Sequence, residues 1–241
     1  MAFSQGYSGR NGTKRHGGRS LMGALNSIEG RKAVCVFDFD GTLVDSMDEF
    51  ADLAAGLIKE AYRRPGAQSR ADYLRTSGLP FHQQLEMLFP GDSRNSEVAR
   101  SFERRKQRNY LHRPFFEEVP QAIRCLRENG VKVAVSSNNG QALVEEFLEH
   151  KGNPQFDLVL GFRQGFAKGP DHFNKVLDHF HFDTEEMVFI GDSLHDAEQA
   201  KEFGVDFVGR LGTFSREQFL QAYPRAHTIL SLEELPGVLC R

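Results

Sequence analysis

Residues Ala33-Val34-Cys35-Val36-Phe37 form an apolar, β-branched run that leads directly into Asp38, Phe39, Asp40 and Gly41. Such a run, without polar alternation, reads as a strand buried on both faces, the type found in parallel sheets. It delivers two carboxylates at the carboxyl end of a strand, and Gly41 turns the chain just beyond. Open α/β sheets build their sites at that edge. Two carboxylates there suit phosphoryl transfer to a carboxylate beside a hard metal ion. One can be the nucleophile toward phosphorus while the other moves the proton of the leaving oxygen.

The later chain repeats the alternation. Apolar runs at 131–136, 158–161, 187–190, 206–208 and 227–230 are separated by helical patterns at about 119–129, 140–151, 171–180, 194–203 and 214–223. Gly130-Val131 and Gly204-Val205 read as helix stop then strand start. Strand–helix alternation predicts a parallel sheet with helices on both faces. Residues 46–115 break the rhythm: they contain no strand pattern and carry helical periods over Met47–Ala61, Phe81–Phe89 and Ser96–Leu111. Breaks stand at Pro65-Gly66, Gly78-Leu79-Pro80 and Pro90-Gly91. The expected organisation is a basic disordered tail (1–30), a split core (31–45 and 116–241) and an inserted helical cap (46–115).

The whole chain has 241 residues, 39% hydrophobic and 26% charged, with a formal net charge of −3. That balance suits a globular protein with a real core and argues against nucleic acid as a partner. The longest apolar runs fall well short of the ~20 residues that span a bilayer, so no membrane association is expected. The N-terminal stretch lacks an apolar signal core and carries Arg10, Lys14, Arg15, His16 and Arg19. Its few apolar residues predict disorder. A transit peptide or a polyanion-binding arm is the sharper alternative. Cys35, Cys125 and Cys240 are widely separated and read as reduced, which points to a cytoplasmic location.

Three further motifs complete a constellation. The strand ending at Val135 opens into Ser136-Ser137-Asn138-Asn139-Gly140, whose hydroxyls and amides can donate to phosphate oxygens or cap the next helix. Lys168 lies in the loop Phe166-Ala167-Lys168-Gly169-Pro170, where an ammonium can neutralise a transferring phosphoryl group. The strand Met187-Val188-Phe189-Ile190 ends in Gly191-Asp192-Ser193-Leu194-His195-Asp196. Acidic groups at that strand end, near Asp38, would complete a Mg²⁺ site, since Mg²⁺ takes oxygen ligands. Each motif alone has a plain structural reading as a turn, a cap or a solvated lysine.

In this order and spacing, DFDGTLVDS, SSN, AKGPD and IGDSLHD resemble the haloacid dehalogenase (HAD) superfamily over about residues 32–210. The helical insertion right after the first motif resembles the subgroup of phosphoglycolate phosphatases and β-phosphoglucomutases. The chain departs in having Gly169, where many relatives have proline directly after the lysine. The resemblance implies a Rossmannoid α/β fold with a helical cap. It implies Asp38 as nucleophile and Mg²⁺ ligand, and Asp40 as general acid and base with its backbone carbonyl on Mg²⁺. It implies Thr42, Ser137 and Asn138 at the phosphate, with Ser136 as the alternative hydroxyl. Lys168 would hold phosphate and Asp38, Asp192 would ligate Mg²⁺, and Asp196 would support from behind. Arg75 and Ser77, on a cap loop, are expected to touch substrate.

Asp40 argues for phosphate chemistry, because carbon–halogen cleavage needs no protonated leaving group. The cap lysines Lys59 and Lys106 are not expected to form a Schiff base; the arginine-rich insert would suit an anionic substrate, though the Glu103–Arg108 run also reads as a solvated helix face. The expected function is a Mg²⁺-dependent phosphatase of a small phosphorylated metabolite, phosphoglycolate phosphatase-like, working as a monomer or homodimer. A sugar phosphomutase and a non-catalytic binding module are the alternatives.

Overall fold

The computed structural model describes Met1, Ile28 and residues 30–239. Six strands form one sheet: β1 (Val34–Phe37), β2 (Lys132–Gly140), β3 (Leu158–Phe162), β4 (Met187–Gly191), β5 (Asp206–Arg210) and β6 (His227–Ile229). Their order is β3-β2-β1-β4-β5-β6, and every neighbouring pair is parallel. β1 is therefore central, flanked by β2 and β4; these three carry the Asp38, Ser137 and Asp192 segments, while Lys168 follows β3. The order reverses at β1, so β2 and β4 diverge from it on opposite sides and leave a crevice beyond its carboxyl end.

Strand side chains alternate between two apolar layers. Cys35, Phe37, Val133, Val135, Val188 and Ile190 join one cluster, and Val34, Val36, Ala134, Met187 and Phe189 join the other. Both faces are thus buried, which is why the strands read as continuous apolar runs.

Four helices lie between β1 and β2. They are α1 (Met47–Tyr62), α2 (Gly66–Arg75), α3 (Phe81–Leu88) and α4 (Asn95–Arg108), followed by a 3₁₀ turn, Tyr110–His112. The sheet faces are covered by the helices that follow: α5 (Val119–Glu128), α6 (Gln141–His150), α7 (Pro170–Phe180), α8 (Leu194–Phe203), α9 (Arg216–Ala222) and the short α10 (Leu235–Leu239). Helix α2 is absent from the sequence expectation. Pro65-Gly66 reads as a break, yet Pro65 sits at the helix N-cap. The segment GAQSRADYLR is polar, with a weak apolar stripe, and what holds it is tertiary: Tyr73 is buried against Phe81 and Phe102. Packing of this kind routinely overrides weak propensity.

The chain enters and leaves the insert side by side. Asp45 N–H donates to Pro114 O at 3.1 Å and Phe116 N–H to Leu43 O at 3.0 Å. Aromatic rings then weld the insert to the core: Tyr110 stacks on Phe39 and Phe50 and meets Phe147 edge-on. At the other end of the core, Ile28 is buried and its N–H donates to Val238 O at 3.3 Å, so packing reaches into the segment expected to be a tail. The expectations for 2–27 and for Cys240 lie outside the described residues. Among the described residues no helix is long and apolar enough to cross a membrane.

Candidate active site

Asp38 follows β1 directly and is almost fully buried. Its carboxylate accepts from Lys168 Nζ at 2.5 Å and, weakly, from Thr42 Oγ1 at 3.4 Å. Lys168 Nζ also lies 2.6 Å from Asp196 Oδ1. One buried ammonium therefore bridges two carboxylates, one beyond β1 and one on the first turn of α8. Asp196 is held by its helix start: Ser193 caps α8, accepting from Asp196 N–H at 3.1 Å, and donates its hydroxyl to Asp196 Oδ2 at 2.7 Å. The capping box fixes the angle of Asp196 as well as the helix.

Asp192 completes a group of three. Asp38, Asp192 and Asp196 offer carboxylate oxygens that all lie within 4.8 Å of one another. The approach of Asp192 needs Gly41: a Cβ there would stand 2.2 Å from Asp192 Oδ2, and φ at Gly41 is +84°. Three buried carboxylates share the one lysine, and the electrostatics show the strain. Burial, then the Asp196 charge, push the Asp38 carboxyl up to about 6 against the pull of Lys168. Burial and the charges of Asp38 and Asp196 raise Asp192 well above the usual carboxylate range. Burial opposes the Lys168 charge, but Asp196 and Asp38 outweigh it and raise its pKa. An excess of negative charge in a cluster of hard oxygen donors fits a divalent cation such as Mg²⁺.

Asp40 points elsewhere. Its carboxylate accepts from Ser46 Oγ, Tyr110 OH and Asn139 Nδ2, each at 2.8 Å, and from Lys106 Nζ at 3.3 Å. Burial works against its charge, yet Lys106 and these hydrogen bonds bring its pKa below the ordinary value. The side chain of Asp40 stands outside the three-carboxylate group.

Beyond Val135 the chain stays in β2 as far as Gly140. Ser136 turns away from the cleft and bonds His172 Nδ1 at 2.9 Å. Ser137 and Asn138 line the cleft, and Asn138 Nδ2 donates to Gly78 O at 3.1 Å. The loop of Lys168 depends on Gly169, whose φ of +105° a proline could not adopt, with Pro170 starting α7 instead.

The cleft holds about 1010 Å³ between insert and core, lined by Asp38, Asp40, Ser77, Asn138, Lys168 and Asp192 among others. Ser77 lies on its wall, with its hydroxyl donated to Leu74 O at 2.8 Å. Arg75 is not on that wall; it is mostly exposed and pairs with Asp72 at 2.8 Å. Three residues at the site escape a reading of the sequence. Lys106 is 11% exposed and reaches Asp40 from α4, while Tyr110 and Asn139 hold the same carboxylate. Asn139 belongs to the SSNNG segment, so a signal existed. Lys106 is hidden in a run of charges, and Tyr110 carries no signal.

Known proteins share this fold. A family profile described as haloacid dehalogenase-like hydrolase matches residues 35–210. The chain belongs to that family. Among its relatives, the tyrosine-protein kinase PtkA of Mycobacterium tuberculosis is 26% identical over 216 residues, covering 84% of this chain and 72% of its own. Phosphoglycolate phosphatase of Aquifex aeolicus is 26% identical over 179 residues, covering 71% of this chain and 81% of its own. A haloacid dehalogenase-like family hydrolase from Streptococcus pneumoniae shares the fold, with a TM-score of 0.70 at 19% identity, covering 86% of this chain and 97% of that one. The parallel six-stranded sheet with its helices is thus a haloacid dehalogenase-like fold.

Proposed function

We propose that this haloacid dehalogenase-like hydrolase is a Mg²⁺-dependent phosphatase of a small phosphorylated metabolite, working through a phosphorylated Asp38. The observation that carries the reading is the pair of unlike carboxylates two residues apart. Asp38 is buried against Lys168, whereas Asp40 is held separately by Tyr110, Asn139 and Ser46. One suits attack at phosphorus and the other suits proton transfer.

In the first half, an Asp38 oxygen bonds to phosphorus as the ester P–O bond breaks. The leaving oxygen takes the proton of Asp40, which the nearby phosphate charge helps Asp40 to carry. In the second half, Asp40 accepts a proton from water. The water oxygen bonds to phosphorus, the Asp38–phosphorus bond breaks, and inorganic phosphate leaves. Lys168, Thr42, Ser137 and the Asn138 backbone are the proposed phosphate partners. Asp38, Asp192 and the Asp40 carbonyl would hold Mg²⁺, with Asp196 behind them, and the ion would neutralise charge developing on the phosphoryl oxygens. We propose the insert as a cap, residues 46–115, that excludes water and bulky phosphoesters from the cleft. The Aquifex relative named phosphoglycolate phosphatase supports a substrate of that size.

The test is phosphate release from a panel of small esters, among them phosphoglycolate, hexose phosphates and nucleotides, with and without Mg²⁺. Mg²⁺-dependent release from at least one is expected, and Asp38→Asn should abolish it while the circular dichroism stays unchanged. Full activity in that variant would remove Asp38 as nucleophile. A phosphoenzyme that accumulates without releasing phosphate would favour a mutase.

A further inference from the structure

Lys106 is the inward-facing cation in a row of exposed ones. Around it on α4, Arg104, Arg105 and Arg108 face solvent, while Lys106 turns inward and lines the cleft. Its ammonium donates to Asn139 Oδ1 at 2.7 Å and Asp40 Oδ2 at 3.3 Å, and lies 4.5 Å from the Phe50 ring centre. An ammonium has three N–H groups, so one is left for a ligand. Lys168, the other lysine on the described cleft wall, is already committed to Asp38 and Asp196.

We propose that Lys106 is a specificity-determining residue, taking a second anionic group, a carboxylate or another phosphate, carried by the leaving group close to the ester oxygen. The inference rests on the phosphatase reading above only for the position of the leaving group beside Asp40. An ester oxygen hydrogen-bonded to Asp40 Oδ2, the oxygen that Lys106 touches, lies within about 6 Å of Lys106 Nζ. An anionic group one or two bonds beyond that oxygen meets the ammonium, whereas a neutral leaving group meets nothing that uses its charge. Holding a lysine in a cleft walled by Met47, Phe50 and Leu111 costs desolvation, which an anionic ligand would offset.

The experiment measures binding and turnover separately, each in the presence of Mg²⁺. Binding of phosphoglycolate, pyrophosphate and glycerol 3-phosphate is measured by calorimetry on the turnover-defective Asp38→Asn protein, with and without Lys106→Gln or Lys106→Arg. The same Lys106 substitutions are made in the otherwise unaltered enzyme for kcat/KM, alongside the exposed control Arg105→Gln. Lys106→Gln should weaken binding of a ligand with a second anionic group about ten- to hundredfold more than that of glycerol 3-phosphate. Lys106→Arg should restore part of the difference, and Arg105→Gln should leave the kcat/KM ratio where it was. Which of phosphoglycolate and pyrophosphate shows the larger loss separates carboxylate from phosphate. Equal losses for ligands with one and with two anionic groups would overturn the proposal and leave Lys106 as a support for Asp40 alone. Selective binding without turnover of any ester would spare this proposal and sink the phosphatase reading instead.

Discussion

Asp38 is a carboxylate the fold holds at a cost. Its pKa rises from 3.8 to about 6, so the folded protein binds that proton more tightly than the unfolded chain. A raised carboxyl contributes stability that is complete below the unfolded value and is lost as pH climbs through the folded one. Asp192 is raised for the same reason and acts in the same direction. Metal-free protein should therefore lose thermal stability between about pH 4 and pH 7, and Asp38→Asn should lessen that loss. Melting curves of both proteins in a chelator would check this: the variant should melt higher at about pH 8 and no higher at about pH 4. A difference independent of pH would mean that charge burial at Asp38 is not what limits the metal-free state.

At the scale of elements, the site depends on where backbone can pass close to side chain. The turn after β1 exists because Gly41 takes φ +84° and leaves room for Asp192 at the end of β4. Gly41→Ala would put a methyl group 2.2 Å from Asp192 Oδ2. It should raise the Mg²⁺ concentration for half-maximal activity about tenfold or more, by displacing a ligand rather than removing one. A Mg²⁺ titration of phosphate release would measure it, and an unchanged midpoint would show that Asp192 does not need its present position. The Asp-Gly dipeptide is legible as a turn from its residue types alone. That the turn presses on the end of β4, far along the chain, is not legible, because sequence spacing says nothing of which strands become neighbours. The same limit hides α2, whose polar segment is helical only because Tyr73 finds Phe81 and Phe102.

Across the whole molecule, the insert and the sheet share one apolar cluster. Phe50, Phe81 and Phe102 from the insert and Phe39, Phe147 and Val135 from the core belong to it, with Tyr110 stacked between the two parts. A shared core predicts that insert and core unfold together. Far-ultraviolet dichroism and tyrosine fluorescence, which is unmasked because the chain has no tryptophan, should give coincident denaturation curves. Two separated transitions would show that the insert is an independent folding unit.

The parallel sheet and the carboxylates at its strand ends are legible in the sequence, because they rest on local signals: buried apolar runs, a two-residue carboxylate spacing, and glycines at turns. Only the tertiary structure decided what meets those carboxylates. It turned Lys106 inward from a charged helix face, set the hydroxyl of Tyr110 on Asp40 while its ring stays in the aromatic cluster, and left Arg75 paired with Asp72 away from the cleft. It set Asp196 beside Lys168 and sent Ser136 to His172. Local pattern fixes the strand end on which a residue sits. Which of its neighbours it touches depends on helix rotation and on packing between segments far apart in the chain, and no short-range spacing encodes that.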